Sequence, residues 1–258
     1  MVNLHENDEV KGFIMFASVV ITSTAITWNY IRNRCAQDYF SLNPPQLGSR
    51  VAVVATNPGS GKSFLASALA ELLNVPHISD DALLFRDGLQ ENGLPNCVPY
   101  EERLNMYQMA LSGTEWIIDN AHFMDQETAL SGDTRITESC VVNSCLPHYQ
   151  FFRKRVDTII FIDLPMLQIF CQLFARTFWY VWNKERLHGT DNTLTWSEFS
   201  WSSWIFTRFF SSKPLKMRRY YRHLMSDETG AFSRYYKLHL RSRHEVNAFL
   251  LHIRMAKT

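Results

Sequence analysis

The sequence predicts an α/β protein in which a parallel sheet lies between two layers of helices. Three observations predict it. Glu115–Asp119 and Thr158–Asp163 are short apolar runs that end in an acidic residue, the form of parallel strands buried on both faces. Segments of helical periodicity alternate with these runs, as crossover connections between parallel strands require. The chain has 258 residues with 46% hydrophobic content, enough for one sizeable core or one domain plus an appendage.

The elements follow in order. Val51–Ala55 reads as a buried strand and Gly61–Leu73 as an amphipathic helix. Pro76–Ser79 is a short strand, Tyr100–Ser112 a helix, and Glu115–Asp119 and Thr158–Asp163 are strands. Pro165 to about Trp182 is a helix dense in aromatics, and Asn183–Thr195 is polar and loop-like. Ser197 to about Met225 is a long helical region interrupted near Pro214, because proline removes a helical donor. Tyr236–Leu240 is the last strand and Arg243–Leu251 the last helix. Asp125–Pro147 is long and polar for a connection in a compact domain and reads as an insertion.

The residues between the first strand and first helix carry the chemistry. Asn57-Pro58-Gly59-Ser60-Gly61-Lys62-Ser63 stands where a P-loop stands, after a strand and opening a helix. Small residues let backbone N–H groups curl around phosphate oxygens, and the helix N-terminus favours an anion. Lys62 would reach the outer phosphates and the Ser63 hydroxyl would hold Mg²⁺. Thr56 stands where the strict pattern has its first glycine; it can stay extended at the strand end but cannot take a glycine's positive φ.

The N-terminal 47 residues read as an extension preceding a domain over 48–258. Residues 12–31 carry no charge, a length that spans a bilayer, with Trp28 and Tyr30 near one end and Arg32 and Arg34 beyond. A membrane anchor and a segment packed on the domain are both open readings. An anchor would leave the bulk of the chain facing the cytosol or an equivalent compartment. Cys35–Ser49, with Pro44, Pro45 and Gly48, reads as a linker.

Composition excludes some classes. A net charge of +1 argues against a dedicated nucleic-acid binder. The Arg208–Arg243 region is locally basic, including Lys213, Lys216, Arg218, Arg219 and Arg222, and reads as a solvated face or a phosphate- or membrane-facing one. Five cysteines without metal-type pairing fit free thiols in a reducing compartment. His77 and His122 lack any metal-binding pattern. The aromatics from Phe174 to Trp204 recur at helical spacings, which is core more often than a base-stacking platform.

Several stretches in order resemble the adenylate-kinase-like P-loop proteins called DNA topology modulation proteins, relatives of nucleoside and nucleotide kinases. They are Asn57–Ser63, then Pro76-His77-Ile78-Ser79-Asp80-Asp81, then Glu115-Trp116-Ile117-Ile118-Asp119-Asn120. Val156–Pro165 and Lys237–Val246, with its Leu240-Arg241-Ser242-Arg243, complete the set, which spans Arg50 to Leu251. The resemblance implies a three-layer α/β/α P-loop NTPase fold with a helical lid region, binding ATP with Mg²⁺ and transferring phosphate to a small-molecule, nucleoside- or nucleotide-like acceptor. The family label does not itself establish DNA contact. Thr56, the insertion at about 125–147, the first 47 residues and a sparse lid between Arg176 and Asn192 depart from the pattern.

Roles follow for named residues. Asn57, Pro58, Gly59, Ser60, Gly61, Lys62, Ser63 and Phe64 would form the nucleotide cradle, with Arg241 and Arg243 at its edge. Ser63 and Asp119 would hold the metal, Asp119 alternatively capping the next turn. Asp80 and Asp81 would orient or deprotonate the acceptor hydroxyl, or else form a plain helix start. Arg176 and Arg186 would approach the transferred phosphate from the lid, or else stay solvated. Asp163 reads as a cap before Leu164-Pro165. The second class of function is a nucleotide-binding regulatory protein without efficient catalysis, tethered to a membrane.

Overall fold

The computed structural model describes residues 27, 30–31, 34–89, 95–119, 151–152, 154–186, 212–226, 228 and 233–257. The elements are β1 (Arg50–Ala55), α1 (Lys62–Leu73), β2 (His77–Ser79), α2 (Asp80–Leu84), β3 (Phe85–Leu89), β4 (Pro95–Cys97) and α3 (Tyr100–Ala110). They continue with β5 (Trp116–Asp119), β6 (Thr158–Ile162), α4 (Met166–Asn183), α5 (Ser212–Ser226), β7 (Tyr236–Leu240) and α6 (Arg243–Lys257). The chain divides into two compact units, Pro45–Arg243, and Met1–Pro44 together with His244–Thr258.

The larger unit is built on a five-stranded sheet of order β2-β5-β1-β6-β7, with β1 at its centre and every pairing parallel. β5 and β6 are buried at every residue because both of their faces are covered. On one face, Ala52, Val54, Ile118, Ile159 and Phe161 pack with Tyr107 and Leu111 at the end of α3 and with Met217, Tyr221 and Leu224 of α5. The alternate residues Val51, Val53, Ile117 and Ile160 are equally buried and stand outside that cluster, as the two-residue period of a strand dictates. α1 packs against β1, β2 and β5, and its Leu65, Ala66 and Leu69 are fully buried. The architecture is therefore a three-layer α/β/α sandwich around a parallel sheet. Each fully buried Leu, Ile or Phe contributes about 1.5–3 kcal/mol relative to exposure.

α4 forms where the aromatic helix was expected. Its buried residues Ile169, Leu173, Thr177 and Val181 recur every fourth position, a single stripe. Lys184, at φ 52°, ends it in the left-handed conformation. Phe178, Trp179 and Trp182 are exposed, so the expected core role of the aromatics does not hold for these three. Pro214 lies within α5 near the start of its described residues, and the expected helical stretch before it, 197–211, lies outside the described residues.

Other expectations are corrected. The linker over Cys35–Ser49 is helical through residue 42. Ala36 and Phe40, four apart on one face of that helix, are buried, and the Phe40 ring meets Phe249 of α6 at 5.8 Å within the smaller unit. β3 and β4 pair antiparallel as a separate two-stranded sheet that the sequence did not announce. Among the described residues no helix is long and apolar enough to cross a membrane, and most of the 12–31 segment lies outside them. So do the 125–147 insertion and His122. Cys35 and Cys171 are exposed free thiols.

Candidate active site

β1 delivers its chain into the turn Asn57–Gly61, and α1 begins at Lys62. Gly59 and Gly61 both take positive φ, 81° and 89°, a conformation that a side chain strains against. At Gly59 space is short as well, since a Cβ there would stand 3.0–3.1 Å from the Cβ, Cα and N of Leu173 in α4. Gly61 is the N-cap of α1 and offers no side-chain cap, and the first turn carries no acidic residue. The helix thus presents its free N–H groups and positive end to a ligand. Asn57 and Ser60 are buried, and Ser60 Oγ has no hydrogen-bond partner. Ser63 and Phe64 are exposed, so Phe64 could serve a ligand through its backbone N–H and not through a packed ring.

Lys62 is only 8% exposed and its Nζ donates to the Asn57 carbonyl at 3.1 Å. Burial lowers its pKa to about 8, against the pull of the Asp81, Asp119 and Asp80 charges and with a smaller push from Arg176. These residues come from separate elements. Asp119 ends β5 in register with Ser79 and Val53, so the sheet itself brings the ends of β1, β2 and β5 together. Asp119 is 1% exposed, its Oδ1 has no hydrogen-bond partner, and His77 Nε2 stands 3.8 Å away, beyond hydrogen-bond reach.

Asp80 is the first residue of α2 and is buried, and the cap position before it, Ser79, makes no side-chain cap. Burial, reinforced by Asp81 and Asp119, pushes the Asp80 pKa well above the usual carboxylate range, against Arg103 and Lys62. Because the fold disfavours the charged form, Asp80→Asn is expected to raise the melting temperature near neutral pH. Scanning calorimetry checks this; an unchanged or lower value overturns it.

The arginines disperse. Arg176 is exposed on α4, stacks over the Tyr180 ring at 5.9 Å, and is close enough to act on Lys62. Arg186 is exposed just beyond α4. Arg241 is exposed and its Nε donates to His239 Nδ1 at 3.4 Å. Arg243 reaches Gln172 of α4. Sequence reasoning missed Gln172 and the buried Arg103, for which no local signal existed.

Asp163 is not a helix cap. It is 5% exposed and binds Arg218 Nε, Arg222 Nε at 2.8 Å and His239 Nε2 at 3.2 Å. Burial alone would raise its pKa, but the hydrogen bonds from His239 and Arg222 and the charges of Arg218 and Arg222 outweigh it and hold it at about 2. Two arginines of the basic stretch therefore face a buried carboxylate, corrected from a solvated or phosphate-facing run. Their spacing of four in α5 was the available signal.

The residues present are of the kinds that would take a nucleotide and a divalent cation: two positive-φ glycines shape the loop, the Lys62 ammonium lies against it, and Ser60 Oγ and Asp119 Oδ1 are buried polar atoms without a hydrogen-bond partner. Among the described residues there is no group of three His, Cys, Asp or Glu side chains set to hold a metal. Mg²⁺ bound through one carboxylate, a hydroxyl and substrate phosphates needs no such group.

No protein-family model matches the sequence, and no curated protein matches it. Among solved structures, a gluconokinase from Sinorhizobium meliloti 1021 aligns over 82% of this chain and 95% of its own, at 14% identity and a TM-score of 0.35.

Proposed function

We propose that this protein is an ATP-dependent phosphotransferase of the nucleoside/nucleotide-kinase type, acting on a small-molecule acceptor. The observation that carries the reading is a buried lysine at the start of α1, hydrogen-bonded at 3.1 Å to the Asn57 carbonyl of its own loop and lying in the field of three carboxylates that end or follow two other strands. A phosphate oxygen can displace the Asn57 carbonyl from Lys62 and return to it the charge partner that burial has taken away.

In this reading Gly59, Ser60, Gly61 and Lys62 bind the nucleotide phosphates through backbone N–H groups and the ammonium. Ser63 and Asp119 hold Mg²⁺, which when bound neutralises charge on the phosphate oxygens. Asp80 is biased toward its neutral form and orients the acceptor, leaving Asp81 as the carboxylate that takes the proton of the attacking hydroxyl. Arg176 of α4, whose charge acts on Lys62, offsets charge on the group in transfer, with Arg186 following it in sequence. Arg241 and Arg243 border the nucleotide. The resemblance of five ordered stretches to the DNA topology modulation proteins supports the same reading. The exposed thiols Cys35 and Cys171 suit a reducing compartment.

Two features favour a second reading, a nucleotide-binding protein of low turnover. Thr56 replaces the first glycine of the loop, and both lid arginines are exposed to solvent.

The test is ATP turnover by the full chain with Mg²⁺ across a panel of nucleosides and nucleoside monophosphates. One acceptor is expected to raise turnover well above the ATP-only rate. ATP binding without stimulation by any acceptor supports the second reading, and absence of ATP binding overturns both.

A further inference from the structure

The structure assigns Gln172 a positioning role: it holds the Gly59–Ser60 peptide and Arg243 in place for the nucleotide phosphates. This rests on the nucleotide-binding reading above. With its amide oriented to suit both neighbours, Gln172 donates from Nε2 to the Gly59 carbonyl at 2.6 Å. Its Oε1 accepts from Arg243 Nε at 2.8 Å and Nη2 at 2.6 Å. One side chain thereby ties the loop to a guanidinium 71 positions beyond it in sequence.

The consequence follows from peptide geometry. In a planar trans peptide the C=O and the N–H point in opposite directions. Fixing the Gly59 carbonyl on Gln172 fixes the Ser60 N–H to face away from α4. A P-loop binds phosphate with such N–H groups, and a peptide free to flip would present a carbonyl to the anion instead. Glycine at φ 81° is the residue most able to flip, since both signs of φ are open to it. Leu173 leaves no room for a side chain at Gly59, so the position stays glycine, and the hydrogen bond to Gln172 is what holds its carbonyl. Asn57 Nδ2 reaches Met166 Sδ at 3.5 Å, so α4 braces the loop at a second point.

Arg243 gains as much. Its guanidinium carries five N–H donors, and Oε1 occupies two. Three remain for an anion or for water, on a side chain that is otherwise exposed and would sample many rotamers. Gln172 holds that charge at the loop without neutralising it, which a carboxylate at the same position would do.

The test uses the full chain and three variants, Gln172→Ala, Gln172→Glu and Arg243→Ala. Two readouts need no turnover: the dissociation constant of ATP with Mg²⁺ by calorimetry, and hydrogen exchange of a peptide covering Asn57–Ser63 in ligand-free protein. Gln172→Ala is expected to weaken ATP binding about tenfold, the worth of a hydrogen bond to a charged group. It should also speed exchange in that peptide while the melting temperature stays within a few degrees. Arg243→Ala should weaken binding but leave exchange unchanged, because the Gly59 bond survives. Gln172→Glu keeps a partner for Arg243 but lacks the donor to Gly59, and should speed exchange as Gln172→Ala does. In steady state with whichever acceptor is found, Gln172→Ala should raise KM for ATP and leave kcat within about twofold.

If Gln172→Ala changes neither exchange nor affinity while Lys62→Ala abolishes binding, the positioning role is overturned and the nucleotide site stands. If wild-type protein binds no ATP, both fall together. Faster exchange across the whole chain would mark a general loss of stability and overturn the proposal as well.

Discussion

Lys62→Ala is expected to weaken ATP binding by about a hundredfold or more, as truncation of one partner of a buried charge pair does. The loss should appear with ATP alone, before any acceptor is added, and should carry into turnover. The wild-type pH profile gives an independent signature. Burial holds Lys62 at about 8 in the free protein, below its ordinary 10.5. Bound phosphate favours the ammonium and raises that value, so binding takes up a proton once the pH passes about 8. Affinity should therefore fall by up to about tenfold per pH unit above that point, while Lys62→Ala shows no such slope. Stability of the free protein moves the other way. The unfolded chain keeps the Lys62 proton up to 10.5 and the folded chain releases it near 8, so stability should rise across that window as the buried charge is shed. Calorimetric titrations from pH 6 to 10 test the slope; a flat wild-type profile would sink the assignment of Lys62 as the phosphate ligand.

Asp163→Ala is the variant with the largest expected effect on folding. The carboxylate lies among Arg218, Arg222 and His239, and its side chain is 3% exposed. A pKa held at about 2, against an ordinary 3.8, corresponds to about 2 kcal/mol of stability at neutral pH. Removing the carboxylate also leaves the half-buried Arg218 and His239 without their partner, and the total loss is expected to be about 3 kcal/mol. In a domain of this size that lowers the melting temperature by roughly 6–12 °C. The acid limb distinguishes the cause. The stabilisation is complete above pH 4 and lost as the pH falls toward 2, so Asp163→Asn should flatten the stability profile across that window. An alanine variant melting within a degree of wild type would show that the cluster contributes nothing.

Those two sites differ in how far they could be read from the chain. Val51–Ala55, Ile117–Ile118 and Thr158–Ile162 declare themselves because strands buried on both faces must be apolar throughout. The loop before Lys62 is legible because its chemistry is local: turn, helix start and cation lie within seven residues. β3 and β4 were not legible, since Phe85-Arg86-Asp87-Gly88-Leu89 and Pro95-Asn96-Cys97 lack alternation and their pairing is set by neighbours. Asp163 was misread because a carboxylate ahead of Leu-Pro looks like a cap, while its partners stand 55 to 76 positions away. Gln172 carries no signal at all, since a glutamine on a helix is ordinary until a fold brings a glycine carbonyl and an arginine to it. Ala55, just before Thr56, ends β1 in regular register with Ile162.

The central position of β1 has a consequence for synthesis. β1 emerges first among the strands of its sheet, yet its neighbours come late: Trp116 of β5, paired with Arg50, follows it by 66 positions, and Asp157, which receives Arg50 at the lip of the β1–β6 pairing, by 107. At a ribosomal rate of about 5–20 residues per second, the apolar run Val51–Ala55 waits roughly 3–13 s with neither flank paired, and longer for its β6 flank. The nascent chain therefore spends that interval with an apolar, β-branched strand uncovered, and its folding should be far more sensitive to holding chaperones and to translation speed than the buried centre of its finished sheet would suggest.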